Sequence, residues 1–145
     1  WGCFSYYCVG PIHRINTIMD TSVYAKILEE FMLPYASEEM PLIWVMQQDN
    51  DPKHTSKKAK KWFQDNRITV MEWPAQSPDL NPIENLWTDV KKKVSEIKPT
   101  DNNDLWTTVQ QAWYSISVER CQNLVNSMGR RCSAVNSNKG NATKY

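Results

Sequence analysis

The spacing of apolar residues changes several times along the chain, and each change marks an element. WGCFSYY and GPIHRI are two short aromatic or aliphatic pieces meeting around Cys8, Val9 and Gly10, the pattern of a β-hairpin. An opening in mid-strand predicts further sequence upstream. Val23, Ile27, Phe31 and Tyr35 recur every four positions, with Leu28 broadening the stripe, so Ser22 to Tyr35 is predicted as an amphipathic helix whose end Pro34 frays. LIWVM is a continuous apolar run of the kind expected for a strand covered on both faces. Lys53 to Gln64 reads as a helix with Ala59, Trp62 and Phe63 inward, and ITVMEW as a further strand closed by Pro74.

Beyond a polar turn at Ser77 to Asn81, the residues Ile83, Leu86, Trp87, Val90 and Val94 occupy one helical face, and Lys98-Pro99-Thr100 ends that helix. Leu105, Val109, Ala112 and Trp113 mark the next helix. Val118, Cys121, Leu124, Val125 and Met128 mark the last, before Gly129. Residues 133–145 are polar and are expected to form a loose tail, leaving 1–132 as the folded domain. The order β-β-α-β-α-β-α-α-α is that of an α/β fold: a mixed sheet, begun by a hairpin and continued by helical crossovers.

A chain of 145 residues suits one compact domain, and its seven tryptophans supply ample core material. With 17 Lys+Arg against 16 Asp+Glu the net charge is +1, so any nucleic-acid surface has to be local. Cys3, Cys8, Cys121 and Cys132 have neither the paired spacing of a zinc site nor the density of a disulfide scaffold, and reduced intracellular thiols are expected. No signal-peptide pattern opens the chain and no apolar run approaches the ~20 residues that cross a bilayer, so a soluble protein with no membrane partner is expected.

Two acidic positions stand out. Asp49 follows LIWVM directly in QQDNDPKHTSKKAKKW, where the carboxyl ends of strands in α/β sheets meet their ligands. Asp49, Asn50 and Asp51 also read as simple turn formers ahead of Pro52. An EF-hand loop is excluded, because its required glycine and glutamate positions hold His54 and Lys60. Glu84, in SPDLNPIENLW, reads either as the third residue of a capping box headed by Asn81 and Pro82 or as a carboxylate at the margin of the apolar stripe.

Taken together, QQDNDPKHTS and EWPAQSPDLNPIENLW, with 34 residues between Asp49 and Glu84 (positions 50 to 83), resemble the catalytic domain of Tc1-like transposases of the Tc1/mariner superfamily. The resemblance runs from WGCFSYY to the closing KGNATKY. It implies a ribonuclease-H-like fold and a DDE triad whose second Asp and Glu map to Asp49 and Glu84. Asp51, Pro52, Lys53 and His54 belong to the same signature without a metal role. It further implies Mg2+ or Mn2+ as cofactor, and DNA, both transposon ends and target duplex, as partner. Magnesium takes oxygen ligands and keeps several waters, so a few carboxylates suffice to hold it beside a phosphate. Two such ions stabilise both the attacking and the leaving oxygen of an in-line displacement.

In the family the first triad Asp lies on a strand upstream of the hairpin, and no residue here matches it; Asp20 reads as a helix N-cap. The resemblance therefore implies a domain without its first strand or the family's helix-turn-helix region, with an open sheet edge and no activity alone. Cys8 stands where the family's hairpin turn generally has glycine, so strain at positive φ is expected there. The alternative is a catalytically silent DNA-binding or interaction domain. Lys53, Lys57, Lys58, Lys60, Lys61, Lys91, Lys92 and Lys93 are either solvated helix faces or contacts to the DNA backbone. KKAKK is also a nuclear-localisation candidate, which places the protein in the nucleus.

Overall fold

In the computed structural model, which describes residues 1–75, 77–141 and 143–145, the opening hairpin forms as its pattern requires. Gln76, beside the predicted turn, and Ala142, in the predicted tail, lie outside the described residues. Strand β1 (Gly2–Phe4) pairs antiparallel with β2 (Val9–Ile12) across a bulge, and the Ser5 N–H closes the turn on the Cys8 carbonyl at 2.9 Å. The expected strain at Cys8 does not arise, since the non-glycine residues at positive φ are Arg67, Lys98 and Lys139. Gly2 is required by close approach: a Cβ there would meet Trp113 Cζ2 and Trp87 Cη2 at 3.1 Å.

The chain divides into two compact units, Trp1 with residues 15–77 and residues 2–14 with 78–145. In the first, helix α1 (Thr21–Ile27) is capped by Asp20, whose carboxylate accepts from the Ser22 and Val23 amides. It continues through a π-helical turn, Leu28–Met32, into α2 (Leu33–Glu39). Pro34 therefore frays nothing. The wide turn, closed by the Leu33 N–H on the Leu28 carbonyl, puts the proline in the first positions of a new helix, where no N–H is required. The buried ladder is Tyr24, Leu28, Met32 and Ala36; of the predicted stripe Ile27 and Leu28 are buried, while Val23, Phe31 and Tyr35 are half-buried one position out of phase with the ladder.

LIWVM is a strand only at β3 (Val45–Met46), paired in parallel with β4 (Thr69–Val70) across α3 (Lys57–Asp65). Trp44 and Met46 join the core with Ala59 and Phe63, whereas Leu42, Ile43 and Val45 are 104, 89 and 46% exposed. The run is thus covered on one face, not two, because successive strand residues alternate faces. The two pairs of strands form separate two-stranded sheets.

The second unit is mainly helical: after a 3-10 turn (Pro78–Leu80) come α4 (Ile83–Ile97), α5 (Asn102–Tyr114), α6 (Val118–Asn126) and α7 (Met128–Ser137). Arg120 reaches from α6 to Asp89 of α4 with a fork of 2.8 and 3.3 Å. The expected boundary at Cys132 falls inside α7, since Gly129 lies in its first turn, where a glycine interrupts little. Among the described residues, no helix is long and apolar enough to cross a membrane.

Trp113 is fully buried, stacks on Trp87 at 4.8 Å between ring centroids, and donates its indole N–H to the Gly10 carbonyl at 2.9 Å. It thereby joins the hairpin to α4 and α5. Trp113→Ala is expected to lower stability by ~3–5 kcal/mol, read as a fall in the urea midpoint, since a large aromatic leaves a cavity and an unpaired carbonyl.

Candidate functional site

Asp49 follows β3 in a loop built from its own side chains. Its Oδ1 accepts the Asp51 N–H at 3.1 Å and faces Nδ1 of His54 at 2.6 Å. Asp51 repeats the device: Oδ1 accepts the Lys53 N–H and Oδ2 the Lys53 ammonium, both at 2.8 Å. The Lys53 hydrogen bonds hold the Asp51 carboxyl below its ordinary range, so it stays ionised. The predicted helix start at Lys53 is displaced, because the Asp51 carbonyl takes the His54 and Thr55 amides into a turn. Ser56 then caps α3 by accepting from Ala59 N–H at 3.1 Å.

Behind the loop stands a polar chain that the sequence pattern did not single out. Tyr24, 1% exposed, donates its hydroxyl to Gln48 Oε1, Gln48 Nε2 donates to the His54 carbonyl at 3.3 Å, and the Tyr24 and His54 rings lie 4.4 Å apart. Burial, with the Asp49 and Asp51 carboxylates nearby, pushes the Tyr24 hydroxyl up, which keeps it a donor. His54 Nε2 is buried and has no hydrogen-bond partner among the described residues. The ring is therefore turned to Asp49 by its other nitrogen, and the Asp49 carboxylate remains 52% exposed beside a cleft of about 550 Å³ that Asn50, Lys60 and Trp73 also line. Asn50 ties this loop to the segment after β4 by donating to the Trp73 carbonyl at 2.6 Å.

Glu84 belongs to the second unit, exposed in the first turn of α4. The capping box does not form: the residue before the helix is Pro82, whose side chain makes no cap hydrogen bond, and the Glu84 N–H bonds the Asn81 carbonyl at 3.2 Å. Among the described residues its carboxylate makes no hydrogen bond. Glu84 therefore does no capping, whereas Asp49 forms its turn and still keeps an open carboxylate.

Of the eight predicted lysines, Lys53 pairs with Asp51, Lys58 reaches Ser22 Oγ at 2.9 Å, Lys61 pairs with Asp65 at 2.9 Å, and Lys93 reaches Ser115 Oγ at 2.6 Å. Lys57, Lys60, Lys91 and Lys92 are exposed. No group of three His, Cys, Asp or Glu residues placed to hold a metal ion occurs among the described residues.

The family model for DDE superfamily endonucleases matches residues 5–105. The Tcb1 transposase of Caenorhabditis briggsae is 46% identical over 145 residues, and the Tc1 transposase of Caenorhabditis elegans 42% identical; each alignment covers 100% of this chain and 53% of the relative. The chain thus spans about half the length of the curated relatives it matches. Structures of the Mos1 transposase catalytic domain with raltegravir and Mn or Mg superpose with a TM-score of 0.87 at 14% identity, over 97% of this chain and 74% of theirs.

The pairing of His54 with Asp49 fixes a tautomer. In its neutral form the ring donates from Nδ1 and leaves Nε2 as a bare lone pair, so nitrogen-correlated NMR of that form should show the proton on Nδ1, and Asp49→Leu should abolish that preference. An Nε2-protonated ring in the unsubstituted chain would contradict the arrangement.

Proposed function

The chain belongs to the DDE superfamily of endonucleases, as a Tc1-like transposase catalytic domain of ribonuclease-H-like fold, and we propose that it serves metal-dependent cleavage and joining of DNA, with Asp49 and Glu84 holding Mg2+ or Mn2+. The observation that carries this reading is the Asp49 carboxylate: one oxygen is committed to Asp51 and His54, and the group stays half-exposed in a cleft. Glu84, without a capping role, adds a second exposed carboxylate.

The donor set suits a hard cation, which takes carboxylate oxygens and fills its remaining positions with water, while the buried Nε2 of His54 offers it nothing. Bound ions of this kind ready a water or a 3′-hydroxyl for attack and stabilise the leaving oxygen. The chain's own part is orientation. His54 and the Asp51 amide hold Asp49 in one rotamer, and the first turn of α4 carries Glu84. Lys57, Lys60, Lys91 and Lys92 offer ammonium groups to transposon-end and target phosphates, whereas Lys53, Lys58, Lys61 and Lys93 have to exchange an internal partner first.

The two-ion arrangement asks for a further ligand, which the described residues do not gather. We expect the 145 residues alone to bind metal and DNA without cutting, and the alternative reading is a silent DNA-binding domain. Asp49→Asn and Glu84→Gln should each weaken Mn2+ binding by about tenfold or more in calorimetric titration, with unfolding midpoints retained, because each removes one charged oxygen ligand. Unchanged affinity in both variants would leave the silent reading. Duplex DNA should bind without sequence preference, and the slope of log affinity against log salt should fall by ~0.9 for each phosphate that Lys57→Ala, Lys60→Ala or Lys91→Ala leaves unneutralised. A slope untouched by all three would remove the lysines from the interface.

A further inference from the structure

The second unit contains a buried charge that neither the metal reading nor the lysines use. Arg131, on α7, is 2% exposed, and all three nitrogens of its guanidinium donate: Nε to Ser127 Oγ at 2.8 Å, Nη1 to the Asp79 carbonyl at 2.8 Å and Nη2 to Asn85 Oδ1 at 2.6 Å. Asp79 and Asn85 bracket Glu84's helix start in SPDLNPIENLW, so one planar group spans the turn from its 3-10 side to the first turn of α4. A second clasp closes on the same turn. Thr143 donates its N–H and its hydroxyl to Asp79 Oδ2 at 3.1 and 3.0 Å, and the Tyr145 ring lies 5.0 Å from the Arg131 guanidinium carbon.

This arrangement answers a local deficit. Helix α4 begins on Pro82, a buried proline that makes no side-chain cap hydrogen bond to its free amides. Burying a guanidinium is costly unless its donors are matched, and here Asp79 and Asn85 of that turn match two of them and Ser127 the third. The residues read as a loose tail are therefore part of the support of SPDLNPIENLW.

We propose that Arg131, Thr143 and Tyr145 are positioning residues that latch the turn Asp79–Asn85 and thereby set where the Glu84 carboxylate stands. The metal consequence rests on Glu84 being a ligand, as proposed above; the latch itself does not. A lysine would not serve in place of Arg131, because a single ammonium cannot span Ser127, Asp79 and Asn85 in one plane.

The test uses the whole chain, with Thr143→Val combined with Tyr145→Leu as the main variant and Arg131→Lys as the second. Hydrogen exchange of the amides of residues 83–88 should quicken by roughly tenfold in both, the factor that accompanies loss of a hydrogen bond to a charged group. Amides of Val90 to Val94 should be unchanged, and Tyr145→Phe, which keeps the ring, should exchange as the unsubstituted chain does. Mn2+ affinity should fall in the same variants and recover in Tyr145→Phe. Unaltered exchange in the double variant, or a uniform rise across α4 and α5, overturns the latch. Quickened exchange confined to residues 83–88 with unchanged Mn2+ affinity upholds the latch and instead removes Glu84 from the metal site.

Discussion

The hydrogen bond between His54 and Asp49 is the constraint on which the first unit's chemistry depends. A carboxylate beyond the end of a two-residue strand has no ladder to hold it, and a mobile acid would lose much of any metal affinity to entropy. Here the strand contributes little and the loop a great deal. Two neighbouring aspartates turn the backbone on themselves, the second is tied by Lys53, and the imidazole comes back from the turn before α3 to meet the first. Tyr24, buried in the core of this unit, then ties the loop to α1 through Gln48. The hydrogen bond from His54 thus decides the direction of one carboxylate.

The second unit solves a similar problem differently. Its acid rides on a helix, but that helix lacks the usual cap, so rigidity arrives from α7 and from the residues beyond it. In one unit the support is local in sequence and in the other it crosses some fifty positions, from Arg131 to Asp79.

This difference also explains what was legible. QQDNDPKHTS could be read because most of what shapes it, apart from Tyr24 and the Trp73 carbonyl, lies within it. The carboxylates Asp49 and Glu84 were visible as residues, and the hairpin and the βαβ crossover as spacing. The strand limits were not, because LIWVM looks alike whether one face or two are covered, and only the tertiary neighbours of Trp44 and Met46 settle it. Arg131 escaped notice for a related reason: in SMGRRC nothing local distinguishes a buried guanidinium from its exposed neighbour Arg130. The glycine before it suggested an ending where the chain in fact starts another helix.

The wide turn at Leu28–Met32 has a consequence for what this fold can tolerate in evolution. Side chains repeating every four residues on an ordinary α-helix creep round its axis by about 40° per step, so a ladder of four cannot stay on one face for long. One turn that takes in an extra residue returns that drift, and Tyr24, Leu28, Met32 and Ala36 remain buried together on either side of it. The turn works like a vernier on the helix. Losing a single residue within it would rewind the segment to a regular α-helix and swing everything beyond by about a quarter of a revolution, carrying Ala36 out of the core. Length in this stretch is therefore held more tightly than composition: substitutions that keep the ladder apolar can be absorbed, while a one-codon deletion cannot.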